Sequence, residues 1–196
     1  MELILIRHGL TAGNQERRYV GQSENPALID RGRDELLRRR QRGFYPSADA
    51  LYVSPLLRCI ETARLVYPML VPVTLPSLTE LDFGLFEGKT YEQLKDNPAY
   101  RRWIDTAGVV APPGGESGQE FAARLRSALQ QIADDGARSG IRRAAVVTHG
   151  GCILTLLGGQ DAGRDEFYQY QATNGGGFLA QMDLNTLSLD HIRPLT

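Results

Sequence analysis

Cysteine is scarce in these 196 residues: there are two, Cys59 and Cys152, and neither sits in a C-x-x-C pair. Two thiols cannot build a disulfide framework, so the expectation is a pair of reduced cysteines in a cytoplasmic protein. Long apolar runs are missing too. The first one, Leu3 to Ile6, holds four apolar residues before Arg7, too short for a secretory leader and far too short for a membrane span. Excess charge is also missing: 22 basic residues face 23 acidic ones, a net charge of −1. That argues against nucleic acid as the main partner, but not against a small anion held by a local cluster. There is no histidine pair at helical spacing, no cysteine cluster and no EF-hand loop, so neither a metal nor a cofactor is expected. A P-loop and a dinucleotide glycine fingerprint are absent, and the spacing from Cys59 to Arg64 is one residue short of a cysteine-phosphatase loop.

What remains is an ordinary globular composition, 42% hydrophobic and 23% charged, at a length suited to one domain over residues 1–196. Leu3–Ile6, Ala50–Val53, Val71–Leu75 and Arg142–Thr148 read as short strands, the first and last buried on both faces. Helices are expected after an Asp30 cap, after Ser54-Pro55 with Ser54 as cap, and from Cys152 to Leu157. The best-defined helix follows the capping box Ser117–Glu120, with Phe121, Leu125, Leu129 and Ile132 at helical spacing. Residues 30–42 carry six arginines offset by three acids, with no aromatic residue to stack on a base, and read as a solvated helix face. Segment 79–90 reads as a structured loop, 108–115 as a Pro/Gly rim, and the tail as a hairpin turning near Leu184-Asn185-Thr186. Strands alternating with helices imply an α/β domain, with its ligand beyond the carboxyl ends of the strands.

Two of three histidines, His8 and His149, end buried strands and precede a glycine. One such histidine is commonly structural; two in the same position relative to two strands would emerge at one rim of the sheet. His191 has no such context and reads as surface. Arg7 adjoins His8, and Arg58 lies in the first turn of a helix, where a cation is disfavoured unless an anion sits between it and the helix end. Arginines and a histidine at one rim suit a phosphoryl group, whose transfer depends on positioning and electrostatics. The attacking histidine must be neutral, while its neighbour can be charged. A carboxylate is needed to protonate the leaving oxygen; Glu80, Asp82 and Glu87 are not separable on the residues alone.

Four separated blocks then occur in order. They are Leu5-Ile6-Arg7-His8-Gly9 with Thr11 and Asn14, Ser54-Pro55-Leu56-Leu57-Arg58 with Thr62-Ala63, Glu80-Leu81-Asp82-Phe83-Gly84-Leu85-Phe86-Glu87-Gly88, and Val147-Thr148-His149-Gly150-Gly151. In this the chain resembles the histidine phosphatases of the phosphoglycerate-mutase-like superfamily. The resemblance implies a three-layer α/β/α sandwich with a mostly parallel central sheet, and no metal. It makes His8 the nucleophile that becomes phosphorylated. Arg7, Arg58 and His149 would hold the phosphoryl oxygens, with support from Asn14 and the Gly150 amide, and Glu80 would be the proton donor. Leu10 departs from the pattern, which has Glu or Gln directly after Arg-His-Gly, and is expected to alter pocket polarity.

The D-F-G-x-x-E-G block and Pro112-Pro113-Gly114-Gly115-Glu116-Ser117 most resemble α-ribazole phosphatases and broad-range phosphatases. The expected activity is metal-independent hydrolysis of a small phosphorylated metabolite, α-ribazole phosphate being one candidate. Phosphoglycerate mutase-type transfer and a phospho-ligand binding module without turnover are the alternatives. Residues 105–116 and 174–177 are read either as substrate rim or as plain connections. A second copy of the chain, in a homodimer, is the one protein partner considered; neither nucleic acid nor membrane is expected.

Overall fold

The computed structural model describes residues 1–158 and 169–196. Its strands are β1 (Glu2–Arg7), β2 (Ala50–Val53), β3 (Pro72–Thr74), β4 (Arg143–Thr148), β5 (Gly177–Met182) and β6 (Leu189–Pro194), in one sheet of order β3-β2-β4-β1-β5-β6. The first four strands are mutually parallel; on the far edge β5 pairs antiparallel with β1, and β6 antiparallel with β5. The described helices are α1 (Ala12–Gln15), α2 (Asp30–Gln41), α3 (Leu57–Val66), α4 (Tyr91–Leu94), α5 (Pro98–Asp105), α6 (Gly118–Ser139) and α7 (Gly150–Gly158).

The alternation of side chains across a strand decides the layering. Leu3 and Leu5 of β1, with Ala144 and Val146 of β4, face one core shared with α6 and α7. Ile4, Ile6, Ala145 and Val147 face the opposite core, shared with α3 and with Leu36 of α2. Leu3, Ile4, Leu5 and Ile6 are fully buried, each stabilising the fold by roughly 1.5–3 kcal/mol before the entropy of ordering is counted. A third, smaller cluster packs Phe86, Leu94 and Tyr100 with Tyr19, Phe83 and Trp103, seating α4 and α5 beside the loop after β1.

Register places the site. Arg7 lies opposite Thr148, and Val53 opposite Val147, so β1, β2 and β4 end level. The next residue of each therefore leaves the sheet at one edge: the His8 amide donates to the Thr148 carbonyl at 2.9 Å and the Ser54 amide to that of Val147 at 3.0 Å.

Several boundaries differ from the sequence reading. Ser54 does not cap the next helix; α3 opens at Leu57, and Leu56 stands at its cap without a side-chain bond. The Ser54 hydroxyl is drawn instead to His149, 2.8 Å away. Asp30 is the first residue of α2 rather than its cap, a position that still favours an acid. Strand β3 shrinks to Pro72–Thr74, an exposed edge where proline is tolerated, and α7 starts at Gly150, directly after the histidine. The Ser117–Glu120 capping box and the terminal hairpin form as read, the latter turned by Asp183 accepting the amides of Asn185 and Thr186.

Candidate active site

His8 sits in a turn fixed from three sides. The Gly9 amide donates to Thr62 Oγ1 at 2.9 Å. The Gly175 amide reaches the carbonyls of Arg7 and His8, and Asn174 Nδ2 donates to the His8 carbonyl at 3.2 Å and to Asn14 Oδ1 at 3.0 Å. Residues 174–177 are therefore a brace for this turn. His8 Nδ1 lies 2.7 Å from the Gly9 carbonyl. A carbonyl only accepts, so Nδ1 carries the hydrogen and Nε2 keeps its lone pair. Burial, then the charges of Arg58 and Arg7, hold the His8 pKa well below its ordinary 6.5. The ring is neutral with Nε2 available, the form a nucleophile needs.

Arg58, fully buried, is clamped by backbone. Its Nη1 donates to the Glu24 carbonyl at 2.9 Å, Nη2 to that of Gly21 at 2.8 Å, and Nε to His149 Nδ1 at 3.3 Å. Arg7 Nη1 donates to the Ala172 carbonyl at 2.8 Å, and among the described residues its buried Nε has no hydrogen-bond partner. Among the described residues neither guanidinium forms an ion pair, although buried charges are normally paired. Two such cations beside the His8 ring make a cradle for an anion. At the start of α3 the Leu57 amide is already bonded, donating to Asn25 Oδ1 at 2.6 Å, so that amide is not free for the anion.

The His149 ring lies 5.2 Å from that of His8, at 63°. Because a guanidinium only donates, Nδ1 accepts from Arg58 and Nε2–H donates to Ser54. Burial, then His8 and Arg58, hold its pKa well below 6.5, so it is neutral in this state and gains a proton only alongside an anion. Burial likewise pushes the Cys59 thiol, 3.5 Å from His149 Nε2, up to about 12 and raises that of Cys152; both are inert packing groups.

The three carboxylates that the residues alone left unresolved have different settings. Glu80 accepts the Leu81 amide on Oε1 at 2.9 Å and the Gly151 amide on Oε2 at 3.0 Å. Its charge is felt by both Arg7 and Arg58. Asp82 accepts the Gly84 amide at 2.8 Å. Glu87, its pKa raised by burial, receives the amides of Gln22, Ser23 and Glu24. It thereby holds the loop whose carbonyls clamp Arg58. Glu80 is thus the carboxylate at the rim with the histidines.

The two glycines after His149 make the approach feasible. A Cβ on Gly151 would stand 2.3 Å from Glu80 Oε1, and one on Gly150 would stand 3.3 Å from Arg7 Nε. Asn14 Oδ1 is taken by Thr11 and Asn174, which leaves its amide nitrogen for a ligand. Leu10 lines a cleft of about 350 Å³ with Gly9, Arg31, Arg38 and Asn174, and His191 is exposed on β6. Among the described residues no group of three or more His, Cys, Asp and Glu side chains could hold a metal, and no helix is long and apolar enough to cross a membrane. Sequence reasoning missed Ser54 as the His149 partner, the Asn174 brace, and Arg124, which pairs with Glu116 and holds three backbone carbonyls that have no signature in the sequence.

Known proteins resemble this chain in sequence and fold. The model of the histidine phosphatase superfamily (branch 1) matches residues 3–186. A bifunctional protein of Mycobacterium tuberculosis is 34% identical over 140 residues, 66% of this chain and 36% of that protein; the chain thus spans about a third of that relative's length. A probable phosphoglycerate mutase of Cronobacter sakazakii is 32% identical over 166 residues, covering 81% of this chain and 75% of the relative. Among solved structures, the α-ribazole phosphatase of Shigella flexneri superposes with a TM-score of 0.80 at 25% identity, over 100% of this chain and 96% of the other. With its six-stranded mixed sheet and its histidines at the strand ends, the chain belongs to the histidine phosphatase superfamily, branch 1, whose members are generally phosphatases and mutases.

Proposed function

We propose that this chain is a phosphomonoesterase acting through a phosphohistidine on His8, with residues 1–196 working as one domain. The observation that carries the reading is the Nδ1–Gly9 bond, which leaves a neutral Nε2 lone pair beside a cradle of two guanidiniums, Arg58 fully buried and Arg7 half-buried. In the first step Nε2 attacks phosphorus, the N–P bond forms and the ester P–O bond breaks. Glu80 delivers its proton to the leaving oxygen. In the second step Glu80 takes a proton from water, the water oxygen bonds to phosphorus, the N–P bond breaks and inorganic phosphate leaves. Arg7 and Arg58 stabilise the equatorial oxygens in both steps. His149 becomes a further donor there once Nδ1 is protonated and gives up its bond from Arg58 Nε, and the Asn14 amide and the Gly150 N–H support them.

The substrate class is a small soluble phosphate ester; similarity to the Shigella enzyme makes α-ribazole phosphate the first to try. A second reading is mutase-type transfer, favoured by the similarity to the Cronobacter protein; it requires the phosphoenzyme to return its group to a product faster than water takes it. The test is phosphate release from α-ribazole phosphate, 3-phosphoglycerate and p-nitrophenyl phosphate with EDTA present. Metal-free turnover that His8→Ala abolishes is expected. Most activity surviving in His8→Ala contradicts the reading, and isomerisation of 3-phosphoglycerate outrunning its hydrolysis selects the mutase.

A further inference from the structure

Glu80 sits on a stretch with little regular structure of its own, two short 3-10 turns at Pro76–Leu78 and Gly84–Phe86. Its path is set by one side chain from across the fold. Arg124 of α6 donates from Nη1 to the carbonyls of Ser77 at 3.0 Å and Thr79 at 2.7 Å, and from Nη2 to the carbonyl of Glu80 itself at 2.8 Å. The same guanidinium holds Glu116 through Nε at 3.0 Å and Nη2 at 2.5 Å, and it lies over the Phe121 ring. Glu116 in turn accepts the Asp82 amide at 3.1 Å, and the Leu85 amide donates to the Pro113 carbonyl at 2.9 Å. All five guanidinium hydrogens thus have an acceptor, three on the 77–80 segment that carries Glu80 and two on Glu116, which is bonded to Asp82 just beyond it.

We propose that Arg124 is a positioning residue for Glu80, and that with Glu116 it couples the 112–116 loop to the proton-transfer group. This rests on the reading of Glu80 as general acid. Arg124 has no hydrogen bond to Arg7, His8, Arg58 or His149 and reaches the cradle only through its charge, one of the smaller causes lowering the His149 pKa, so its loss falls chiefly on the acid. Carbonyl anchors at Ser77, Thr79 and Glu80 disappear together, and the carboxyl group is no longer held against the Gly151 amide. A general acid matters in proportion to the basicity of the leaving oxygen. The loss therefore depends on the leaving group, which a merely structural residue would not show.

The experiment compares Arg124→Gln with the wild type on 3-phosphoglycerate, an alkyl ester, and on p-nitrophenyl phosphate, whose phenolate leaves without a proton. The expected kcat loss is about 10- to 10²-fold on the alkyl ester, part of the 10²–10⁴ that acid catalysis supplies, and under about 3-fold on the aryl ester. In a Glu80→Gln background Arg124→Gln should add almost nothing on the alkyl ester, since the group it positions is gone. Glu116→Gln, which leaves the three carbonyl bonds, should show the same pattern at smaller size; it carries the test if Arg124→Gln does not fold. Equal losses on both esters, or an undiminished loss in the Glu80→Gln background, overturn the proposal while the phosphatase reading stands. A folded wild type silent on both esters and on α-ribazole phosphate overturns that reading, and this one with it.

Discussion

The histidines divide their work through single hydrogen bonds. His8 gives its Nδ1 hydrogen to Gly9 and keeps Nε2 as the lone pair, while His149 gives its Nε2 hydrogen to Ser54 and accepts from Arg58 on Nδ1, so identical side chains hold opposite tautomers. The glycines beside them are as specific. Gly151→Ala places a methyl 2.3 Å from Glu80 Oε1, which displaces the carboxyl group from its amide. It should slow alkyl-ester turnover by about 10²-fold with little change on p-nitrophenyl phosphate, and equal slowing on both would deny Glu80 the acid role. Removing a cradle donor is a different loss: Arg58→Ala should cost about 10²–10³ in kcat on every ester, whatever its leaving group, read from the same assays. Much of this was legible from residue order. Arg7, His8 and His149 end apolar runs, and strand ends are where chemistry collects. Ser54 misled because a serine before proline has the chemistry of a cap. Only the fold brings His149, 95 positions away in the chain, within reach to compete for its hydroxyl.

At the scale of elements, the decisive fact is that β1, β2 and β4 end level. The runs that form them are visible as unbroken apolar stretches, and the α6 helix is announced by its capping box. The pairing of β1 with both β4 and β5 is not visible, because hydrogen-bond partners more than a hundred residues apart leave no local pattern. Strand β5 shows the cost of that hidden closeness. A Cβ on Gly177 would stand 1.8 Å from the Leu5 carbonyl, inside the ladder that positions His8. Gly177→Ala should destabilise the fold by about 3 kcal/mol or more in urea unfolding. A variant as stable as the wild type would contradict the described β1–β5 register. The loop around Glu80 was legible only as a loop: its order comes from Arg124 and Glu116, acting on backbone atoms that every residue possesses.

At the scale of the whole molecule, burying two neutral histidines ties stability to pH. Both have folded pKa values well below the ordinary 6.5, so below that pH the unfolded chain takes up protons that the folded one refuses. The sign follows: this contribution is intact above pH 6.5 and is lost as the pH falls. Between pH 6.5 and about 5, before carboxylates titrate, the unfolding free energy should drop with a slope approaching about 2.7 kcal/mol per pH unit. A flat profile from urea melts across that window would mean that the histidines are charged in the fold. The same neutrality underlies the chemistry, since it is what lets His8 attack. The most direct measurement is therefore to mix the protein with a turned-over phosphate ester, quench within one turnover, and locate any phosphoryl adduct by mass spectrometry and NMR. The account predicts one adduct, on Nε2 of His8, absent from His8→Ala. Turnover without that adduct, or an adduct on Nδ1 or on another residue, would contradict it.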